Sequence, residues 1–170
     1  MGTHYKTCLE MLQQRNYSII NENEERILAW KPDNNQLLVF FSQVPKFNVK
    51  TIQLYISEMN SKNLNHAIII YKNSVTSFTR KTINKSLALT FELFSQKDLQ
   101  YNITKHRLQP HFERLSLKEC ENFKKKFGVK FGTMKKDDPI ARFYYFNKGD
   151  VIKITRNQNR EKTITYRIVK

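Results

Sequence analysis

The 170 residues include 30 Lys or Arg against 15 Asp or Glu, a formal net charge of +15, and 39% of them are hydrophobic. That length suits one domain or two small ones with a packed core. No stretch reaches the roughly 18 apolar residues that span a bilayer, and the start does not join a basic end to an apolar run, so no membrane or secretory role is expected.

In chain order, Thr3 to Gln14 places Tyr5, Cys8, Leu9 and Leu12 at helical spacing, with Thr3 as expected cap and Asn16 as expected stop. Arg26 to Trp30 and Gln36 to Phe41 are short apolar runs joined by turn-forming KPDNNQ, which predicts paired strands. LLVFF in the second run has no alternation and predicts a strand covered on both faces. Helical period returns through Val49, Ile52, Tyr55, Ile56 and Met59 behind an Asn48 cap, and AIIIY, Ala67 to Tyr71, is a second doubly covered strand. Strand, helix, strand is the crossover of a partly parallel sheet. Further on, the three lysines of FKKKFGVK, Phe123 to Lys130, read as the wet face of a helix rather than an import signal. Asp138 and Pro139 open a turn or helix, and Gly149 and Asp150 mark a turn. Val151 to Arg156 and Thr163 to Val169 alternate as a hairpin whose six polar residues, Asn157 to Lys162, form the expected loop.

Charge is uneven along the chain: residues 105–170 hold 18 Lys or Arg against 7 Asp or Glu, and residues 1–104 hold 12 against 8. A basic field of this kind suits nucleic acid or an acidic protein surface and makes association salt-sensitive. Catalytic chemistry finds no footing. Pro32 and Asp33 could begin a magnesium nuclease motif, but none of the 15 acidic residues is followed two positions later by Lys, so Asp33 reads as a turn residue. Cys8, Cys120 and the histidines at 4, 66, 106 and 111 lack metal-ligand spacing. With four glycines in all, no phosphate-binding loop or nucleophile elbow is present. No metal, cofactor or catalytic residue is expected.

DPIAR, KGDVIKI and TYRIV, in that order between Asp138 and Lys170, resemble the C-terminal signature of the fifth-largest subunit of eukaryotic nuclear RNA polymerases, whose C-terminal part is similar to the small H-type component of archaeal RNA polymerase. Leu37 to Asn63 resembles the same family through Val39 to Phe41, Pro45 and Lys50 to Ile52, and Leu99 to Phe112 through NIT, His106 and Pro110. The resemblance covers about four-fifths of the chain. It is poorest from Asn16 to Gln36, where the family has a longer insertion. The chain departs from the family pattern at Ser77, Gly132, Tyr145 and Asn147, where Pro, Pro, Gly and a basic residue are usual.

The resemblance implies an α+β protein. An N-terminal α/β jaw domain, residues 1–98, would have a mixed sheet like that of nucleases but no active site. A small α+β assembly domain, residues 99–170, would follow. The implied role is that of a non-catalytic subunit of a multisubunit DNA-dependent RNA polymerase, docked on the largest subunit beside a small assembly subunit and holding downstream duplex DNA. Lys72, Thr76, Ser77, Arg80 and Lys81 are the DNA-proximal candidates. Losing Pro at Ser77 is expected to loosen that loop, and a solvated helix start is the competing reading there. Asp138, Pro139, Arg142, Gly149, Tyr166 and Arg167 are the subunit-interface candidates, with an Asp138–Arg142 ion pair as the alternative role for that pair. Tyr145 is expected to reshape the turn before Gly149. The nucleus is the implied compartment, or a viral factory or virion if a large DNA virus encodes the chain, and no homo-oligomer is implied. The alternative is a free-standing basic nucleic-acid-binding protein with the same fold.

Overall fold

A computed structural model describes residues 2–33, 35–85, 88–128, 132–158 and 161–170. They form a mixed α+β structure of two compact units, Met1–Tyr101 and Asn102–Lys170.

The first unit begins with α1 (Thr3–Gln14), whose Tyr5, Cys8, Met11 and Leu12 are buried at helical spacing. The cap is Gly2, with no side-chain cap bond, and Thr3 is already helical, so the helix starts one residue earlier than the expected Thr3 cap implies. Asn16 stops the helix as expected: its φ of 63° lets its own N–H reach Gln13 O and that of Tyr17 reach Leu12 O, both at 2.9 Å. Then follow β1 (Ser18–Glu22), β2 (Arg26–Trp30), β3 (Gln36–Ser42), β4 (Lys46–Phe47), α2 (Val49–Ser61), β5 (His66–Tyr71), β6 (Ser74–Val75), α3 (Ser77–Lys85) and β7 (Thr90–Ser95). The main sheet runs β1-β2-β3-β5-β7, antiparallel up to β3 and parallel beyond it. The Asn48 side chain caps α2 by accepting from Thr51 N at 3.2 Å. Strand periodicity explains why Leu37 to Phe41 of β3 are apolar without alternation. Leu38 and Phe40 join Ile52, Tyr55, Met59 and Ile83 of the crossover helices in one core cluster. Phe41, on the opposite face, meets Tyr5 of α1 with ring centroids 4.9 Å apart. β1 went unrecognised in the sequence because all five of its residues are exposed and a bulge between Ile19 and Asn21 breaks its alternation.

In the second unit, a 3-10 turn (Ile103–Lys105) precedes β8 (His111–Arg114), α4 (Leu117–Phe127), β9 (Gly132–Met134), α5 (Pro139–Tyr144), β10 (Val151–Gln158) and β11 (Glu161–Val169). The NIT triplet makes the turn, with the Asn102 carboxamide accepting from Thr104 N and Oγ1 at 3.0 and 2.6 Å. Its sheet runs β8-β10-β11-β9. The hairpin loop is shorter than expected, because the ladder continues through Asn157↔Lys162 to Gln158↔Glu161; residues 159 and 160 lie outside the described set. Register settles the faces. Ile152 and Ile154 lie across from Arg167 and Thr165, whereas Lys153 and Thr155 lie across from Tyr166 and Ile164. The two apolar series of the hairpin therefore point to opposite sides of the sheet. Ile152 and Ile154 join Phe112, Met134, Ile140, Ala141, Phe146 and Val169 in the core; the other side receives α4, where Phe123 packs on Tyr166 at 4.2 Å between centroids.

Tyr145 corrects the expectation of a reshaped turn. It takes the left-handed conformation itself, φ 56° and ψ 49°. Its N–H donates to Arg142 O at 3.1 Å and that of Phe146 to Ala141 O at 2.8 Å. This is the paired closure that glycine usually completes, here formed by a tyrosine at a cost of about 1–2 kcal/mol. Burial of Ala141 and Phe146 in the shared core holds it in place.

Candidate docking and nucleic-acid interfaces

β6 pairs with β4 in a two-stranded ladder, and the chain turns from it directly into α3. Thr76 makes the turn. Its N–H donates to Phe47 O at 3.2 Å, and its Oγ1 accepts from Thr79 N at 3.2 Å and lies 2.6 Å from Thr79 Oγ1. Ser77 is the first helical residue, the position where proline is also at home, so the change from the family pattern leaves the path intact and frees one N–H. The loop expected to be slack is thus a capped helix start. Lys72, Ser77, Arg80 and Lys81 are all exposed, and the first turn of α3 has no acidic residue. Arg80 reaches toward Tyr71 Oη at 3.5 Å. The helix dipole and the nearby cations act in the same sense on an approaching phosphate.

The second candidate site gathers around α5. Asp138 Oδ1 accepts from Ile140 N at 2.9 Å and Pro139 follows as the first helical residue, so these two specify where the helix starts. Arg142 N donates to Asp138 O at 2.9 Å, one turn on. Gly149 has φ 95° and its N–H donates to Val169 O at 2.9 Å, while Asp150 Oδ2 accepts from Asn147 N at 2.7 Å; together these tie the turn before β10 to the end of β11. Tyr166 and Arg167, adjacent in sequence, point to opposite faces of the sheet. Arg167 shares the α5 face and is exposed, whereas Tyr166 is half-buried under Phe123. The structure therefore brings Asp138, Pro139 and Arg142 together and separates Tyr166 from Arg167.

One polar cluster was not foreseen. Arg15 Nη1 and Nη2 donate to Glu92 Oε1 and Oε2 at 2.8 Å each, and His66 Nε2 lies 2.9 Å from Glu92 Oε1. The side chains of Arg15 and Glu92 are only 2% and 9% exposed. Burial pushes the Glu92 carboxyl up, but the charges and hydrogen bonds of Arg15 and His66 outweigh it and hold the group below the usual carboxylate range. The pairings span 77 and 26 residues, so no local pattern announces them. The cluster fastens the end of α1 to β5 and β7. Burial also pushes the Cys8 thiol up to about 12, which keeps it from acting as a nucleophile. Asp33 is a turn residue, accepting from Asn35 N and Nδ2 at 3.3 and 2.9 Å. His106 Nδ1 accepts from Leu108 N at 3.2 Å, and His111 opens β8. Among the described residues, no group of three or more His, Cys, Asp or Glu is arranged to hold a metal ion.

Residues 101–169 match the family model described as RNA polymerase Rpb5, C-terminal domain. The chain is 37% identical to the putative DNA-directed RNA polymerase subunit 454R of Invertebrate iridescent virus 6, over 98% of this chain and 97% of that one. It is 28% identical to the DNA-directed RNA polymerases I, II, and III subunit rpabc1 of Dictyostelium discoideum, over 96% and 93%. It is 29% identical to the subunit RPABC1 of Caenorhabditis briggsae, over 79% and 66%. The class they define is a structural, non-catalytic component of a multisubunit DNA-directed RNA polymerase. The chain belongs to the Rpb5 family of RNA polymerase subunits.

Proposed function

We propose that the unit Asn102–Lys170 docks the chain on the largest polymerase subunit, next to a small assembly subunit, and that the unit Met1–Tyr101 serves as a jaw beside downstream duplex DNA. The observation that carries the docking reading is the start of α5. Asp138 and Pro139 fix a helix end that leaves Pro139 exposed and Arg142 half-exposed one turn away, within the part that matches the Rpb5 model. Arg142 and Arg167 offer planar donor forks to carboxylates of a partner. Tyr166 takes a different part: its packing under Phe123 suits a role in supporting the sheet. The jaw reading draws support from the α3 start, a capped helix N-terminus that carries exposed Arg80 and Lys81 and follows exposed Lys72 in the chain. Contacts of this kind are with phosphate, independent of base sequence and weakened by salt. On this reading the first unit keeps a nuclease-like sheet for shape alone and needs no cofactor. The higher identity to a viral relative than to the two cellular ones favours a viral factory or virion over the nucleus.

The test is the salt dependence of elongation-complex stability with Arg80→Glu/Lys81→Glu. Loss of two phosphate contacts should reduce the slope of log stability against log salt by about 1–2. An unchanged slope contradicts the jaw reading and leaves docking untouched.

A further inference from the structure

The half-covered side of the second unit's sheet has a shape and charge that neither the proposed docking residues nor the DNA-proximal ones use. α4 is closed at its start by a reciprocal cap: Ser116 Oγ accepts from Glu119 N at 3.3 Å and Glu119 Oε2 accepts from Ser116 N at 2.8 Å. The helix is therefore well specified, yet none of its residues is buried. Leu117, Cys120, Phe123 and Phe127 fall on one stripe at helical spacing. Only Cys120 and Phe123 of these are half-buried; Leu117 is 86% exposed and Phe127 60%. Phe127 packs tilted against Phe123 at 4.9 Å between centroids, and Phe123 against Tyr166 at 4.2 Å. By register Ile164, 42% exposed, lies on the same side of the sheet as Tyr166, two residues away. The result is an apolar ledge from α4 onto β11 whose outer half is in water.

Charge says what kind of partner the ledge fits. Lys124 and Lys126 flank the Phe123–Phe127 part of the stripe on its two sides by helical geometry, both exposed, and Lys126 Nζ sits 5.3 Å from the centre of the Phe127 ring. Of the two acidic residues of the helix, Glu119 is occupied by its cap, and Glu121 falls on the far side of the helix from Phe123 and Phe127. An apolar stripe between cations matches an amphipathic segment with Leu or Phe on one face and Asp or Glu beside it. Single-stranded nucleic acid fits less well, since Leu117 and Ile164 cannot stack with bases.

We propose that this ledge of Leu117, Phe123, Phe127 and Ile164, flanked by Lys124 and Lys126, is a docking surface for an acidic amphipathic helix of a protein partner. It extends the functional reading above and does not depend on it, because Phe127, Lys124 and Lys126 lie outside the residues assigned to the largest subunit or to DNA.

The experiment uses the full chain and a fluorescent synthetic helix with Leu and Phe at i, i+3, i+4 and i+7 and Glu at the flanking positions, read by anisotropy. A scrambled peptide of the same composition and a single-stranded oligonucleotide serve as comparisons. The helix should bind more tightly than its scramble. Phe127→Ser should weaken binding at least about tenfold, as expected for an aromatic anchor, and Lys124→Glu/Lys126→Glu should do so while also flattening the salt dependence. Phe127 is exposed, so its variant should fold, and circular dichroism checks this. A second exposed change, Phe78→Ser, should leave binding unchanged. Equal binding of helix and scramble, indifference to Phe127→Ser, tighter capture of the oligonucleotide through the same residues, or self-association of the free chain through Phe127 would each overturn the proposal.

Discussion

The two units solve the burial of a sheet in different ways. In the first, helices pack on both faces of β3, β5 is buried on both of its faces, and the charges brought inside are matched: Arg15, Glu92 and His66 satisfy one another within hydrogen-bonding distance. In the second, one face is sealed by α5 and the other is half-covered by α4, while the ion pairs Lys153–Glu113 and Arg114–Asp150, at 3.2 and 3.4 Å, remain largely in water. Exposed pairs of that type add little stability. The first unit thus uses its polar groups to hold itself together, and the second leaves apolar and basic surface available to other molecules.

Breaking the buried cluster should separate the units most clearly. Glu92→Ala takes from the buried, charged Arg15 the carboxylate it chelates, with an expected loss of about 3–5 kcal/mol, seen as a lower urea midpoint for probes in the first unit. The pH dependence has the same origin. Because the folded Glu92 carboxyl lies below its unfolded value, near about 4.3, its contribution is complete above that value and is lost as pH falls through the folded pKa. Acid should therefore loosen the first unit below about pH 4, and Glu92→Gln should remove that dependence. A smaller effect is expected in the second unit from Asp138→Ala, which removes the cap of α5 and costs about 1 kcal/mol; an unchanged thermal midpoint would count against the cap. Smallest is Tyr145→Asn, which accepts the left-handed backbone more readily and should shift stability upward by less than about 1 kcal/mol. A drop would mean that ring contacts of Tyr145 outweigh its backbone strain.

How far the sequence could be read follows the range of the interactions involved. The Asn16 stop of α1, the bounds of β2, the Asn48 cap and the Asp138-Pro139 helix start are set by neighbours a few residues away and were legible. β1 was not, because an exposed, bulged edge strand has no apolar alternation. The hairpin loop was overestimated since polar residues such as Asn157 and Lys162 pair through backbone alone. Tyr145 was recognised as the sensitive position, but only the structure shows that core burial of its neighbours imposes the left-handed turn. The Arg15–Glu92–His66 cluster and the opposite facing of Tyr166 and Arg167 depend on sheet order and register, which composition and spacing do not encode.

The central claim, docking through the second unit, is tested most directly by co-purification of the tagged chain with mass determination, wild type against Arg142→Glu. The account predicts a stoichiometric complex containing the largest polymerase subunit for the wild type, its loss with Arg142→Glu, and its retention with Arg80→Glu/Lys81→Glu. A monomer that binds DNA tightly by itself, or a complex indifferent to Arg142→Glu, would contradict it.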